Sequence, residues 1–244
     1  MGHPTQSRRE RLRETTAAEI KTIALKHMAA NGTASISLRA IARDMGMTAG
    51  AIYSYFDTRD ALISALIADV YTSLADTLEA ARDSRPAEDP AGRVMAYGRA
   101  YRHWAVTNPE EFRLVYGDSV PDYQPPEGGA AAEAEHRACA LLTGIVADAW
   151  PRAQHLHVSG THSWTDYDPD FGALVRDSFP GLPPAAVALS LRVWGRMHGL
   201  VSLEVYGHLR PQVLAPEKLY LLEMFDLTKS LGLTCPEETR DDRA

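Results

Sequence analysis

The sequence predicts an all-α protein. Apolar residues recur at spacings of three and four through most of its 244 residues, the period of helices with one buried face. Proline, glycine and Ser/Thr/Asp residues fall where those runs begin or end, as helix caps require. No segment alternates apolar and polar residues between hairpin turns, so a sheet is not expected.

The elements follow in order. A first helix is expected over about 9–30, with Ala17, Ile20, Ala24 and Met28 on one face and a left-handed stop at Asn31-Gly32. A second, short helix opens at Ser37 as N-cap, turns Leu38, Ile41, Ala42 and Met45 inward, and ends at Gly46. Thr48 caps a third short helix reaching about Phe56. A long fourth helix over about 58–83 carries Leu62, Leu66, Val70, Leu74 and Leu78. Beyond the loop at 85–90, helices are expected at about 91–107, 109–116, 129–150, 184–206 and 216–231. The stretch 151–183 is rich in Pro, Gly, His and Asp and has room for one short helix near 170–178. The implied domains are 1–60, 61–232 and a polar tail, 233–244.

Composition excludes several classes. Hydrophobic residues make up 45% and charged residues 23%, an ordinary globular balance with room for one large domain or two modest ones. No run approaches the roughly 18 to 20 consecutive apolar residues of a membrane span. The N-terminus lacks the apolar core of a secretory signal, so a cytoplasmic protein without membrane partners is expected. Cys139 and Cys235 make neither a disulfide framework nor a zinc site, and read most simply as a buried small hydrophobe and a tail thiol. His155, His157 and His162, with Asp166, lie in a loop without helical ligand geometry or a nearby cysteine; neither metal nor cofactor is expected.

The net charge of −7 hides an asymmetry. Residues 1–60 hold nine basic and six acidic groups, for +3, and the remainder carries −10. Four of the nine bases are Arg8, Arg9, Arg11 and Arg13, read as an arm ahead of the first apolar-periodic run. A charge split of this kind suggests two jobs, although a merely solvated arm reads the same way.

Residues 37–56 have helix-turn-helix spacing, with Gly46 supplying the positive φ of the turn and Ile41, Met45, Ile52 and Phe56 packing the two helices together. Thr48, Ala49, Gly50 and Tyr53 are left outward. Two short helices about a glycine also occur as plain packing. Residues 16–62 resemble the DNA-binding domain of TetR-family transcriptional regulators through Leu38-Arg39-Ala40-Ile41-Ala42, Gly46-Met47-Thr48, Ala51-Ile52-Tyr53-Ser54-Tyr55-Phe56 and Asp57-Thr58-Arg59-Asp60-Ala61-Leu62. Asn108-Pro109-Glu110-Glu111-Phe112-Arg113-Leu114 and Trp194-Gly195-Arg196-Met197-His198-Gly199 resemble the regulatory domain of the branch named for a Trp-His-Gly motif.

The resemblance implies a double-stranded DNA operator as partner. The third helix would enter the major groove led by Thr48, Ala49 and Gly50, while Ser37, Tyr53, Tyr55 and Arg59 meet phosphates. Arg8, Arg9 and Arg11 would follow the backbone or enter the minor groove. The recognition helix has no Arg, Lys, Asn or Gln, and position 49, often Lys or Arg in the family, is Ala. Arg39 is then the best candidate to reach a guanine, beside thymine-methyl contacts and DNA shape.

Two apolar stripes are expected on the helix at 184–206. One holds Val187, Leu191, Trp194, His198, Val201 and Val205; the other holds Leu189, Val193, Leu200 and Leu203. A helix apolar on two faces needs cover on two sides. The resemblance implies a homodimer through this helix and the last one, and Gly195 and Gly199 would admit a close neighbour. Both glycines could equally make room for an aromatic group of the same chain. A ligand pocket is expected among Tyr97, Tyr101, Trp104, Phe112, Val115, Tyr116, Leu141, Ile145, Trp194, Met197, His198 and Val201, each also readable as core. The effector would be an unidentified, mostly apolar small molecule.

The favoured reading is a dimeric repressor released by such a ligand. A ligand-independent DNA-binding or architectural dimer is the alternative. A histidine-dependent hydrolase stands further off, because no nucleophile elbow, P-loop, dinucleotide fingerprint or HExxH motif occurs.

Overall fold

The computed structural model describes residues 7–126, 129–157 and 162–234, and among these the regular structure is entirely helical. Helix α1 spans Arg8–Asn31. The Ser7 hydroxyl accepts the Glu10 backbone N–H at 3.2 Å and the Glu10 carboxylate accepts the Ser7 N–H at 2.7 Å, a reciprocal cap. Hydrogen bonding to the carboxyl from the Ser7 backbone, and secondarily from its side chain, holds Glu10 below the usual carboxylate range. The basic arm of Arg8 to Arg13 is therefore helical and forms the first turns of α1, whose start lies within one residue of the one expected. Ile20, Ala24 and Met28 are buried as expected, while Ala17 is half-buried.

Helix α2 spans Leu38–Asp44 and α3 spans Ala49–Ile52. Leu38, Ile41, Ala42, Ile52 and Phe56 are buried, whereas Met45 is only half-buried. Gly46, at φ 64°, takes the left-handed conformation the turn requires. Helix α3 stops four residues earlier than expected. The Ser54 hydroxyl bonds back to the Ala51 carbonyl at 2.7 Å, and Tyr55 N–H reaches Ile52 O at 2.9 Å, so the chain tightens into a turn.

Helix α4 (Arg59–Asp83) buries Leu62, Leu66, Val70, Leu74 and Leu78. By length and composition alone this helix could cross a membrane, a property it shares with core helices that spend their apolar stripe inside a protein. Helices α5 (Pro90–Thr107), α6 (Pro109–Tyr116), α7 (Ala130–Ala153), α8 (Pro169–Ser178), α9 (Pro184–Val205) and α10 (Pro216–Ser230) follow. Helix α7 runs through Pro151, past the expected end near 150. The loop after it holds 3-10 turns at Gln154–Leu156 and Trp164–Asp166 that its composition did not suggest.

Two compact units result. One takes the chain up to Tyr71 together with Asn108–Glu135; the other takes Thr72–Thr107 and the chain from His136 onward. Compactness thus adds α6 and half of α4 to the helix-turn-helix, where the sequence suggested a cut at residue 60. In the first unit α1 packs on α2 and α6. In the second, α9 packs on α5 and α10, and the Arg102 guanidinium grips the Glu204 carboxylate through Nε at 2.8 Å and Nη2 at 2.5 Å. The Tyr220 hydroxyl donates to the Gly98 carbonyl at 3.0 Å.

The stripes on α9 divide differently from expectation. Ala186, Leu189, Val193, Met197 and Val201 face inward, while Leu191, Trp194 and Leu203 are 45%, 42% and 42% exposed. Leu222 on α10 is 51% exposed. Cys139 is exposed on α7 instead of buried, and Cys235 lies outside the described residues.

Candidate functional site

The helix-turn-helix is built on an apolar wedge. Ile41 and Ile52 are fully buried, and the turn between α2 and α3 is closed by Met47 N–H on Ala42 O at 2.8 Å. Burying one face of each short helix leaves the other faces outward. Arg39, Thr48, Ala49, Gly50 and Tyr53 are all exposed. The Thr48 hydroxyl accepts the Ala51 N–H at 3.2 Å, capping α3 while keeping its own proton to donate. Ser37 occupies the N-cap of α2 without a side-chain capping bond. Arg8, Arg9 and Arg11 are exposed on the opening turns of α1.

Two candidates are placed otherwise. Arg59 is turned onto its own unit: Nε donates to the Ile36 carbonyl at 3.0 Å and Nη1 to the Pro121 carbonyl at 3.1 Å. These carbonyls lie outside helices and need donors, so the side chain ties loops together instead of standing clear for phosphate. Tyr55 is half-buried, with the Arg13 guanidinium 5.3 Å from its ring centroid. Arg13 also donates to the Ser54 carbonyl at 2.7 Å. Sequence reasoning missed this contact because Arg13 read as one charge among four. Arg13 already fell inside the helix expected at about 9–30, but its partner Ser54 lies 41 positions on, where no local pattern points to it.

The expected pocket residues do not form one group. Phe112 and Tyr116 belong to the first unit, with ring centroids 5.2 Å apart and Tyr71 edge-on to Tyr116 at 6.2 Å; Val115 accompanies them. Tyr97, Tyr101, Trp104, Leu141, Ile145, Met197 and Val201 are buried in the second unit. Trp194 lies on the outer face of α9, not inside. Its ring stacks on His198 at 5.0 Å and 29°. His198 Nδ1 pairs with the Tyr101 hydroxyl at 2.7 Å and Nε2 with the Ser202 hydroxyl at 3.0 Å. Each hydroxyl can donate or accept, so a neutral imidazole is satisfied in either tautomer. Burial pushes the His198 pKa below its ordinary value, which favours that neutral form.

Beyond their chain neighbours and the backbone of their own helix, Gly195 and Gly199 have no atom of the described residues within 4 Å of where a Cβ would stand. Among the described residues no aromatic group from elsewhere in the chain fills that space, which weighs against one of the two readings of these glycines. A shallow groove of about 430 Å³ runs beside them, lined by Arg196, Gly199, Leu200, Leu219, Leu222 and Glu223 among others. Arg196 Nε meets the Glu223 carboxylate there at 2.5 Å. Among the described residues no metal-ligating cluster forms; His157 Nε2 instead pairs with the Ser230 carbonyl at 2.8 Å.

An exposed recognition helix on a helix-turn-helix, joined to a larger all-helical unit, defines a DNA-binding transcriptional regulator. Comparison with known proteins gives the family. Residues 22–66 match the family described as bacterial regulatory proteins, tetR family, and residues 94–227 match the tetracyclin repressor-like C-terminal domain. The chain is 34% identical over 201 residues to HTH-type transcriptional regulator Rv1816 of Mycobacterium tuberculosis, covering 82% of this chain and 85% of that one. HTH-type transcriptional regulator Mb1846 of Mycobacterium bovis matches to the same extent, 34% over 201 residues. The crystal structure of putative regulatory protein SCO4313 superposes with a TM-score of 0.70 at 32% identity, covering 91% of this chain and 100% of that one. A tetR-family regulatory protein from Rhodococcus RHA1 shares the fold, with a TM-score of 0.62 at 18% identity over 90% of this chain and 98% of that one. The protein belongs to the TetR family of transcriptional regulators.

Proposed function

We propose that the chain acts as a homodimeric repressor that reads its operator with α2 and α3 and releases it when a mostly apolar small molecule binds the C-terminal unit. The observation that carries the dimer is the outward face of α9 and α10. Leu191, Trp194, Leu203 and Leu222 stand exposed around two glycines with open space above them. Exposed apolar side chains grouped in this way mark an interaction surface. A second copy presenting the same face covers it in one step, as two-fold interfaces do. Pairing also supplies the affinity that a single small module lacks.

The DNA contacts we assign are Arg39, Thr48, Ala49, Gly50 and Tyr53, with Ser37, Arg8, Arg9 and Arg11 on phosphates. Release by a ligand requires that it bind the DNA-incompetent state better, and DNA must then weaken the ligand equally. The His198 network, a set of polar groups in an apolar bundle, supports a binding role for Tyr101 and His198. The ligand-independent reading is favoured by the packing of Tyr97, Tyr101, Trp104 and Met197, none more than 5% exposed.

Selection of bound fragments from the source genome, with sedimentation of the protein alone, tests the core of the proposal. We expect a dimer that enriches sites with two half-sites about one DNA turn apart. Enrichment of no preferred sequence would overturn it.

A further inference from the structure

We infer that Arg13 is a positioning residue for the recognition helix, acting through Ser54 and Tyr55 and not by touching DNA. The inference rests on the reading of α3 as the DNA reader. Arg13 lies outside the segment that matches the tetR-family description, 22–66, on the capped extension of α1.

Helix α3 is a single turn of four residues, Ala49–Ile52, too short to hold its own orientation. Its entry is fixed by the Thr48 cap and its inner side by Ile52. Its exit needs an external hold, and Arg13 supplies one. Nη2 donates to the Ser54 carbonyl at 2.7 Å, just beyond the helix end, where positive charge suits the backbone dipoles. The central carbon of the guanidinium lies over the Tyr55 ring, 5.3 Å from its centroid. One side chain thus grips two successive residues of the turn that follows α3.

The grip is anchored at its other end. The reciprocal Ser7–Glu10 cap keeps α1 helical through Arg13, so the side chain leaves a rigid helix instead of a loose terminus. Ser54 Oγ, bonded to Ala51 O at 2.7 Å, tightens the same turn from within. Tyr53, exposed on that turn, inherits its pose from this arrangement. Lysine retains the charge at position 13 but lacks the planar fork needed to stack and donate together.

The test compares wild type, Arg13→Ala and Arg13→Lys on two duplexes: the one recovered most often from a random library by wild type, and a scrambled duplex of equal composition. Affinity is measured across salt, and amide exchange is followed at residues 53–56 without DNA. For both variants we expect preferred-duplex affinity to fall about tenfold, scrambled-duplex affinity to hold, and the salt slope to stay within about 0.3 of wild type. Exchange at 53–56 should accelerate while the thermal midpoint stays near that of wild type. A slope reduced by about 0.9, with both duplexes weakened alike, would make Arg13 a phosphate contact and overturn the inference. Unchanged exchange and affinity, or full rescue by lysine, would also overturn it. Wild type failing to prefer any duplex would instead defeat the proposed function on which the inference rests.

Discussion

Arg39 is the side chain on which base discrimination should turn. Helix α3 offers only Ala, Gly, Ala and Ile, none able to form a bidentate bond with a base edge, while Arg39 stands exposed in the first turn of α2. Arg39→Ala is expected to cost about 1 to 3 kcal/mol at one guanine position and to flatten the preference there. Binding-site selection with the variant checks it, since a retained preference would remove Arg39 from the reader. His198 gives a second residue-scale expectation. Its pKa is lowered by burial from an ordinary 6.5, so the unfolded chain takes up the proton first. Stability is therefore full above that ordinary value and declines as pH falls through it toward the folded pKa. The thermal midpoint should drop between about pH 8 and about pH 5, and His198→Gln should shrink the drop. An unchanged drop in the variant would assign the effect to other groups. The residue types at these positions were legible in the sequence, but the Tyr101–His198–Ser202 chain of bonds was not. Its members come from two helices, and Tyr101 lies 97 positions from His198.

At the scale of elements, the sequence reading and the structure agree wherever one face of a helix meets its own unit. Ile20, Ala24 and Met28 on α1, and the five leucine and valine positions of α4, are buried where the period placed them. They part at helix ends, where a few polar bonds decide. Ser54 cuts α3 short of the expected end near Phe56. The far end of α10 depends on a close approach of this kind. Gly232 follows it at φ 69°, and a Cβ there would stand 2.7 Å from the Arg152 carbonyl oxygen at the end of α7. Backbone cannot step aside as a flexible side chain can. Gly232→Ala combines left-handed strain with this clash and is expected to cost about 2 to 4 kcal/mol. Denaturant melts measure it, and a loss below about 0.5 kcal/mol would mean that the two helix ends separate easily.

For the whole molecule, periodicity could not say which side of α9 is covered by its own chain. Leu191 and Val193 are equally apolar, yet one is 45% exposed and the other 1%. A stripe reads identically whether its own unit or a second molecule covers it. Leu222→Glu places a charge within the proposed seam. It should convert the dimer to monomer with its helical content intact, as judged by sedimentation and circular dichroism, and weaken operator binding by at least about tenfold. A variant that stays dimeric would move the interface elsewhere. The overall charge of −7 also changes meaning at this scale, because the +3 of residues 1–60 is outweighed by −10 beyond them. Non-specific attraction to DNA is thereby kept weak, and affinity must come from the reader.

The open space above Gly195 and Gly199 has one further consequence. If two copies must close that space before either reads DNA, then at levels where single copies predominate occupancy of a dilute operator rises with the square of the amount of chain made. Halving synthesis then cuts repression about fourfold at low occupancy. The control point would respond to its own gene dosage more sharply than any single reader could.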